Sequence, residues 1–503
     1  MSELTGKKLT LIPLVLMIFT SVFGFTNIPR SFYLMGYSAI PWYVLSACTF
    51  FIPFAYMMAE YGAAFKKEKG GIYSWMEKSV GAKYAFVGTF MWYASYVVWM
   101  VNISSSIWIP FSNFLFGSDM TSTWTIFGLK ATQTLGLLGI MWILSVTFIA
   151  TKGLDKITKF TSIGGTAVAL LNIVLLLGAI TVFIANGGQF AEAVNADAFT
   201  NSPSPKYQSS ISILSFLVFA LFAYGGIEAV GGLVDETEHP EKNFPKGIIF
   251  SAGIIVIGYS VGIFLCGIFS NWNEVLSSKD VHMGNVAYIL MKNLGYQLGH
   301  SMGFDNGISL SLGMWMARLV GFSMFLALTG AFFTLCYAPL KQIIEGTPTK
   351  LWPGKMGEAT NGMPINAMWI QCYMIIAFIL LITFGGEGAS KFFNKLILMT
   401  NVAMTLPYMF LSGAFAPFKK KTQIDKPFEV FKTYNSALIA SVVVTLTVGF
   451  ANIFTIIEPA INGDVESTIW CIVGPLFFSI LALIMYSRYE KREVLEETIS
   501  LKQ

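Results

Sequence analysis

The stretch FLVFALFAYGGIEAVGG, residues 216–232, begins as an apolar helix and then departs from what a membrane helix normally contains. Gly225 and Gly226 stand side by side, although each glycine costs roughly 1 kcal/mol relative to alanine inside a helix. Glu228 follows two residues later, although an acid at membrane depth costs roughly 2.5–3.5 kcal/mol on insertion scales. The pattern predicts a helix that unwinds at the glycines, where its backbone groups can serve a ligand.

The composition of the whole chain indicates an all-α polytopic membrane protein. Of its 503 residues, 55% are hydrophobic and only 12% are charged, whereas soluble globular proteins are about 25% charged. Long apolar runs without alternation exclude a β-barrel. No segment resembles a soluble domain, so we expect one transmembrane domain over residues 1–503. Because no phosphate loop, metalloprotease motif or hydrolase residue set occurs, we expect neither an enzyme nor an ATP-driven pump, and no cofactor, metal site or nucleic-acid partner.

Twelve apolar segments are long enough to cross a bilayer, which takes about 20 residues each. If the N-terminus is cytoplasmic, most of the 32 Lys and Arg residues fall in the loops on that side, and the positive-inside rule then places both termini in the cytoplasm. The predicted spans are 9–35, 38–64, 84–110, 132–152, 160–185, 208–234, 246–270, 308–340, 364–385, 392–416, 435–457 and 468–488.

The first span carries a second interruption. It reads IFTSVFGFTNIPRS over residues 18–31, with Gly24 at mid-membrane and Pro29 lacking a backbone N–H. If each repeat has five spans, this segment is the counterpart of the sixth span and enters the membrane from the opposite side, as in transporters with inverted repeats. Freed N–H groups suit a carboxylate and freed carbonyls suit an ammonium group, so an α-amino acid or a related amine matches the paired breaks. Close helix packing is the competing explanation for each glycine alone.

Two polar stripes at helical spacing predict further parts of a pathway. A polar stripe at membrane depth must face protein or water, and hydrogen bonds between helices are the alternative to a pathway. The stripes consist of Ser95, Trp99, Asn102 and Ser106 in the third span, and of Asn401, Thr405 and Tyr408 in the tenth.

Several short motifs follow one another along most of the chain. They are the break at Val22-Phe23-Gly24, Glu60 followed by Gly70-Gly71-Ile72-Tyr73-Ser74-Trp75, the pattern of Phe222, Gly226 and Glu228, the loop with Glu236, Pro240 and Pro245, and Leu351-Trp352-Pro353 followed by Pro364. Together they resemble the amino acid–polyamine–organocation (APC) superfamily. The first break resembles that of the glutamate/GABA antiporter branch and of a neighbouring group of bacterial inner-membrane permeases.

The resemblance implies a LeuT-like five-plus-five inverted repeat in which helices 1 and 6 are discontinuous. The first repeat would cover 9–185 and the second 208–416, and two additional helices would cover 435–488. The resemblance also implies that Phe222 is a gating aromatic, where the alternative is a lipid- or core-facing ring. The expected substrate site comprises Ser21, Val22, Phe23, Gly24, Phe25, Thr26, Trp99, Asn102, Phe222, Ala223, Tyr224, Gly225, Gly226, Asn401 and Thr405.

We therefore expect a secondary active transporter that moves an amino acid or amine across the bacterial inner membrane by alternating access. Antiport and proton-coupled uptake are both open, and H⁺ or Na⁺ are the possible coupling ions. Glu228 would either brace the break through a polar neighbour or take up a proton during turnover. A channel-like pore and a transport-dead solute sensor are the rival functions. The chain would act as a monomer or a homodimer.

Overall fold

The described part of the chain, residues 8–360 and 362–500 of a computed structural model, is built from helices and loops. Outside the helices, the described residues form only two isolated β-bridges. In chain order the α-helices are α1 (Leu11–Val22), α2 (Asn27–Met35), α3 (Ala39–Ser46), α4 (Ile52–Ala64), α5 (Gly71–Ser79), α6 (Ala82–Ser106), α7 (Trp108–Phe116), α8 (Ala131–Ala150), α9 (Leu154–Ala185), α10 (Ala196–Thr200), α11 (Ser210–Phe222), α12 (Pro240–Phe269), α13 (Trp272–Val275), α14 (Val286–Ser301), α15 (Asn306–Ile344), α16 (Ile365–Phe384), α17 (Gly386–Ala403), α18 (Leu406–Lys420), α19 (Tyr434–Ile461) and α20 (Val465–Ser500). The expected all-helical architecture is confirmed.

Eleven helical stretches of the described residues are long and apolar enough to cross a membrane. One of them, Leu11–Ala64, has 54 residues and contains both the first and the second predicted span. A straight helix of that length would measure roughly 80 Å, against about 30 Å for the hydrocarbon core of a bilayer. The stretch is not straight, because it is interrupted at residues 23–26 and again at Gly36, whose φ of 57° lies in the left-handed region.

The helix bundle has an apolar outer face, as expected for a protein surrounded by lipid. On α19, Ile439, Leu446 and Ile453 follow one another every seven residues and are 61–68% exposed. That spacing is one face of a helix. A continuous exposed stripe of this kind is stable in lipid rather than in water.

The two interrupted helices lie at the centre of the packing. Helix α1 packs against α9, α12 and α15, and a 3₁₀ segment, Ile227–Leu233, follows α11 and packs against α15 and α5. The structure thus interrupts both the first and the sixth predicted span at the expected places.

A third interruption separates α17 from α18 at Met404 and Thr405. Pro407 lies in the first turn of α18, where a backbone N–H would have no partner within the helix, so proline is tolerated there.

Candidate functional site

The break in the first span leaves backbone donors free. Helix α1 ends at Val22, Phe23 is extended with φ −82° and ψ 99°, and α2 begins at Asn27. The N–H of Gly24 donates to the Tyr259 hydroxyl at 3.0 Å. Within the described chain, the N–H groups of Phe25 and Thr26 donate to no acceptor. They stand at the N-terminus of α2, where the helix dipole also favours a negative charge.

The break in the sixth span depends on Gly226. Its φ of 113° is a conformation that residues with a side chain rarely adopt. A Cβ at this position would lie 2.4 Å from the carbonyl oxygen of Ser21, so only glycine lets the two breaks come this close. The Gly226 N–H donates to the Tyr408 hydroxyl at 2.9 Å and to the Glu228 carboxylate at 3.1 Å.

Tyr259 of α12 joins the two breaks. In addition to accepting from Gly24, its hydroxyl lies 3.0 Å from the carbonyl oxygen of Ala223 and 3.3 Å from that of Val22. Its ring stacks on Phe23 with centroids 4.6 Å apart. This residue was not among the predicted site residues, and its only signal in the sequence is that it is the lone tyrosine in the middle of an apolar span.

A cavity of about 710 Å³ lies between the breaks and the third, eighth and tenth predicted spans. Cavities of this volume are typical of small-molecule sites. Most of the expected site residues line it, namely Ser21, Val22, Phe23, Gly24, Thr26, Trp99, Asn102, Phe222, Ala223, Gly225, Gly226, Asn401 and Thr405. Its lining therefore brings together the two breaks and both polar stripes.

Two expected site residues lie elsewhere. Phe25 is fully buried in the core and does not line the cavity. The Tyr224 ring points into the core, where it stacks on Phe51 and packs edge-on against Tyr43 and Tyr259. Thr405 lines the cavity, but its hydroxyl is held by the side chain of Asn452.

Glu228 lies behind the cavity wall. Its carboxylate is 1% exposed and accepts hydrogen bonds from the Trp92 indole and the Tyr96 hydroxyl, each at 3.0 Å, besides the one from Gly226. No described salt bridge includes it. Tyr96 and Tyr408 stand between this carboxylate and the cavity.

Polar residues that the sequence analysis left out of the site also line the cavity. Asn27 and Tyr288 are two of them, and Tyr408 had been placed only in the polar stripe. Arg30, which lies near the end of the first predicted span and was given no role there, also lines the cavity, and its Nε donates to the carbonyl of Met283 at 2.9 Å. The signal for Arg30 was its position four residues after Thr26, which is the same face of one helix.

The cavity opens at the end where Arg30 lies, because Gly284, which lines the cavity next to the Met283 carbonyl that Arg30 contacts, is exposed. The opposite end is closed by Lys341, which is 0% exposed and pairs with Asp235 at 2.7 Å and with Glu236 at 3.0 Å. Burial raises the pKa of Asp235, while the Lys341 ammonium works in the opposite direction.

The N-terminal segment reinforces this closed end. Leu9 forms a parallel bridge with Thr237. The Leu9 N–H donates to the backbone carbonyl of Glu236, and the Glu238 N–H donates to the backbone carbonyl of Leu9, both at 2.8 Å. Next to it, the Gln342 amide donates to the carbonyl of Ala229 at 3.0 Å. The structure therefore combines an open end at Arg30 with a sealed end at Lys341.

A family model described as amino acid permease matches residues 9–480. The chain belongs to this family. It is 59% identical over 490 residues to the inner membrane transporter YjeM of Escherichia coli strain K12, with 97% of each chain covered. It is 24% identical to the aspartate/glutamate permease AcaP of Lactococcus lactis, over 86% of this chain and 84% of the relative. It is 22% identical to a glutamate/gamma-aminobutyrate antiporter of the same species, over 94% and 91%.

These matches confirm the resemblance to the APC superfamily. Because the relatives are permeases and transporters, the protein is a membrane transporter and not an enzyme.

Proposed function

We propose that the protein is a secondary active transporter of an amino acid or a related amine, and that it works by alternating access. The observation that carries the proposal is the pair of helix breaks facing one cavity. The free N–H of Thr26, which lines the cavity at the N-terminus of α2, suits the substrate carboxylate. Carbonyls of the unwound segments near Ser21 and at 222–225 suit its ammonium group. The two relatives from Lactococcus lactis are named for amino acid substrates, which supports the same class.

The proposed fold has twelve crossings in a five-plus-five inverted repeat, with residues 9–185 and 208–416 as the repeats and 435–488 as two additional helices. The interrupted stretch Leu11–Ala64 then supplies two crossings. With both termini in the cytoplasm of a bacterial inner membrane, the Arg30 end of the cavity faces outward and the Lys341 end faces the cytoplasm. The relative from Escherichia coli, an inner membrane transporter, supports this location.

Two residues have proposed roles in turnover. Phe222 lines the cavity at the end of α11 and covers the bound substrate as a gate. Glu228 braces the sixth span, since three hydrogen-bond donors converge on its carboxylate. Proton uptake by Glu228 is the alternative. Glu228→Gln distinguishes the two roles, because a brace lost in this variant lowers stability, whereas a lost proton site removes uptake driven by a pH gradient.

Counterflow in proteoliposomes tests the proposed function. Vesicles preloaded with unlabelled solute are offered a panel of labelled amino acids and amines at two pH values. We expect saturable uptake that is accelerated by substrate on the opposite side. Large non-saturating conductance would instead indicate a channel, binding without flux would indicate a sensor, and no exchange of any amino acid or amine at either pH would refute the proposal.

A further inference from the structure

Arg30 is the only charged side chain among the described residues that line the cavity. We infer that the transported substrate carries a second anionic group, and that the Arg30 guanidinium binds it. This inference rests on the proposed function and narrows it to acidic amino acids and close analogues.

The Arg30 guanidinium has hydrogen-bonding capacity to spare. Its Nε donates to the carbonyl of Met283, which fixes the side chain against the segment before α14. Its two terminal nitrogens, which carry four N–H groups, have no partner among the described residues, and no described salt bridge includes this arginine. Arginine stays charged at any pH that a protein meets. A cation at membrane depth that lacks a protein partner marks a ligand pathway.

The position of Arg30 suits a substrate with two anionic ends. Arg30 follows Thr26 by one turn of α2, which corresponds to roughly 6 Å along the helix axis. The free N–H of Thr26 lies at one end of this turn and the Arg30 side chain starts at the other end, and both residues line the cavity. A small dicarboxylic amino acid carries its two carboxylates at opposite ends of a short carbon chain. Its α-carboxylate would meet the Thr26 N–H, and its side-chain carboxylate would meet the planar guanidinium in a two-point contact.

The rest of the wall does not cancel this positive charge. The nearest acid of the unwound segment, Glu228, is turned away from the cavity and already accepts three hydrogen bonds. A neutral amino acid would leave Arg30 without a counter-charge, and a cationic amine would be repelled by it. The cavity is therefore complementary to a substrate with net negative charge.

The test compares acids with their amides, which have nearly the same shape. Counterflow is measured for L-glutamate against L-glutamine and for L-aspartate against L-asparagine, with wild type, Arg30→Gln and Arg30→Lys. We expect wild type to exchange at least one acid about tenfold or more faster than its amide, because hydrogen bonds to a charged group are the stronger ones. Arg30→Gln should lose about tenfold of the acid exchange and keep the amide exchange within about twofold. Arg30→Lys should fall between them, since it keeps the charge and loses the planar fork.

Arg318→Gln is the matched control. Arg318 lies over the Trp315 ring, 5.2 Å from its centroid, and does not line the cavity, so the same substitution should leave the preference unchanged. Should Arg30→Gln fail to fold, competition on wild type decides instead: unlabelled glutamate or aspartate should inhibit exchange at about a tenth of the concentration of the amide.

Each other outcome overturns the inference. Equal exchange of acid and amide by wild type, or an equal loss of both in Arg30→Gln, would mean that Arg30 binds the α-carboxylate common to all amino acids. If the protein exchanges other amino acids but none of these four, the proposed transport function holds and the inference of an acidic substrate is refuted. Exchange of no amino acid at all would remove the proposed function itself.

Discussion

At the scale of the residue, Gly226 is the position that lets the two helix breaks come together. Gly226→Ala would force a side chain into a conformation that costs roughly 1–2 kcal/mol and would set its Cβ 2.4 Å from the Ser21 carbonyl. We expect the two breaks to move apart and exchange to fall by about tenfold or more. Gly253→Ala is the control, because Gly253 lies within α12 and an added Cβ there meets nothing within 4 Å. Equal exchange rates for the two variants would contradict the role of Gly226.

Tyr259 gives a second residue-scale prediction. Tyr259→Phe keeps the ring stacked on Phe23 but leaves the Gly24 N–H without its acceptor, which costs about 1–3 kcal/mol. We expect a lower unfolding temperature in detergent and slower exchange. Tyr373→Phe should change neither, since Tyr373 is 59% exposed and its hydroxyl bonds no described residue. An unchanged unfolding temperature in Tyr259→Phe would show that this hydroxyl does not hold the breaks together.

Glu228→Gln separates the two roles considered for this acid. The carboxylate is an acceptor only and faces three donors, whereas an amide must turn its own N–H₂ group toward one of them. As a brace, Glu228 should lose about 1–3 kcal/mol of stability on this change, and exchange should fall equally at every pH. Glu387→Gln, at a side chain that is 93% exposed, is the neutral control. Unchanged stability combined with loss of uptake driven by a pH gradient would identify a proton site instead.

The residues that sequence reasoning found are those with an unusual backbone or polarity. Paired glycines and an acid in an apolar run have few structural explanations, so Gly225, Gly226 and Glu228 stood out. Tyr259 did not stand out, because a single tyrosine in an apolar helix is common. The hydrogen-bond partners of its hydroxyl also come from segments more than 30 residues away in the sequence. Arg30 did not stand out either, because it lies near the end of the first predicted span, where an arginine commonly reaches the membrane surface.

At the scale of the element, the sealed end of the cavity consists of contacts that can separate. Lys341→Met would leave Asp235 and Glu236 without their buried partner, and losing one partner of a buried pair costs about 3–5 kcal/mol. We expect the sealed end to open more often. The readout is labelling of Ala229→Cys, a position on the cavity wall, by an impermeant maleimide applied to inside-out vesicles of a Cys48→Ser background.

The control for this variant is Lys350→Met. Lys350 pairs with Glu493 and Glu496, all three side chains are at least 41% exposed, and exposed pairs contribute little. Labelling should therefore rise in Lys341→Met and stay at the wild-type rate in Lys350→Met. Adding Asp235→Asn to Lys341→Met should restore part of the closure, because it removes one of the unpaired charges. No rise in labelling for Lys341→Met would show that the ion pairs do not hold this end shut.

Sequence periodicity predicted the helices but not every interruption. The unwound segments before Asn27 and after Phe222 were expected from glycine and proline. The π-helical segment Ala47–Phe51 and the interruption at Met404 and Thr405 were not expected, because neither contains a glycine and both depend on packing against other helices. The bridge between Leu9 and Thr237 was also beyond prediction, since it joins two loops without any strand pattern.

At the scale of the whole molecule, the structure has an apolar outer face, two interrupted helices at its centre and a cavity that reaches one end only. In a carrier, a state that opens toward one side must alternate with a state that opens toward the other side. The proposed twelve crossings and inverted repeat supply the symmetry for that exchange. If both termini are cytoplasmic, as we propose, the present structure is the outward-facing state.

The most direct test is to determine the structure of the protein with the amino acid that it exchanges fastest. We predict that the substrate lies between the two breaks, with its α-carboxylate within hydrogen-bonding distance of the Thr26 N–H and its ammonium group on the carbonyls at 222–225. A substrate bound elsewhere, or bound in this cavity without contact to either break, would contradict the account.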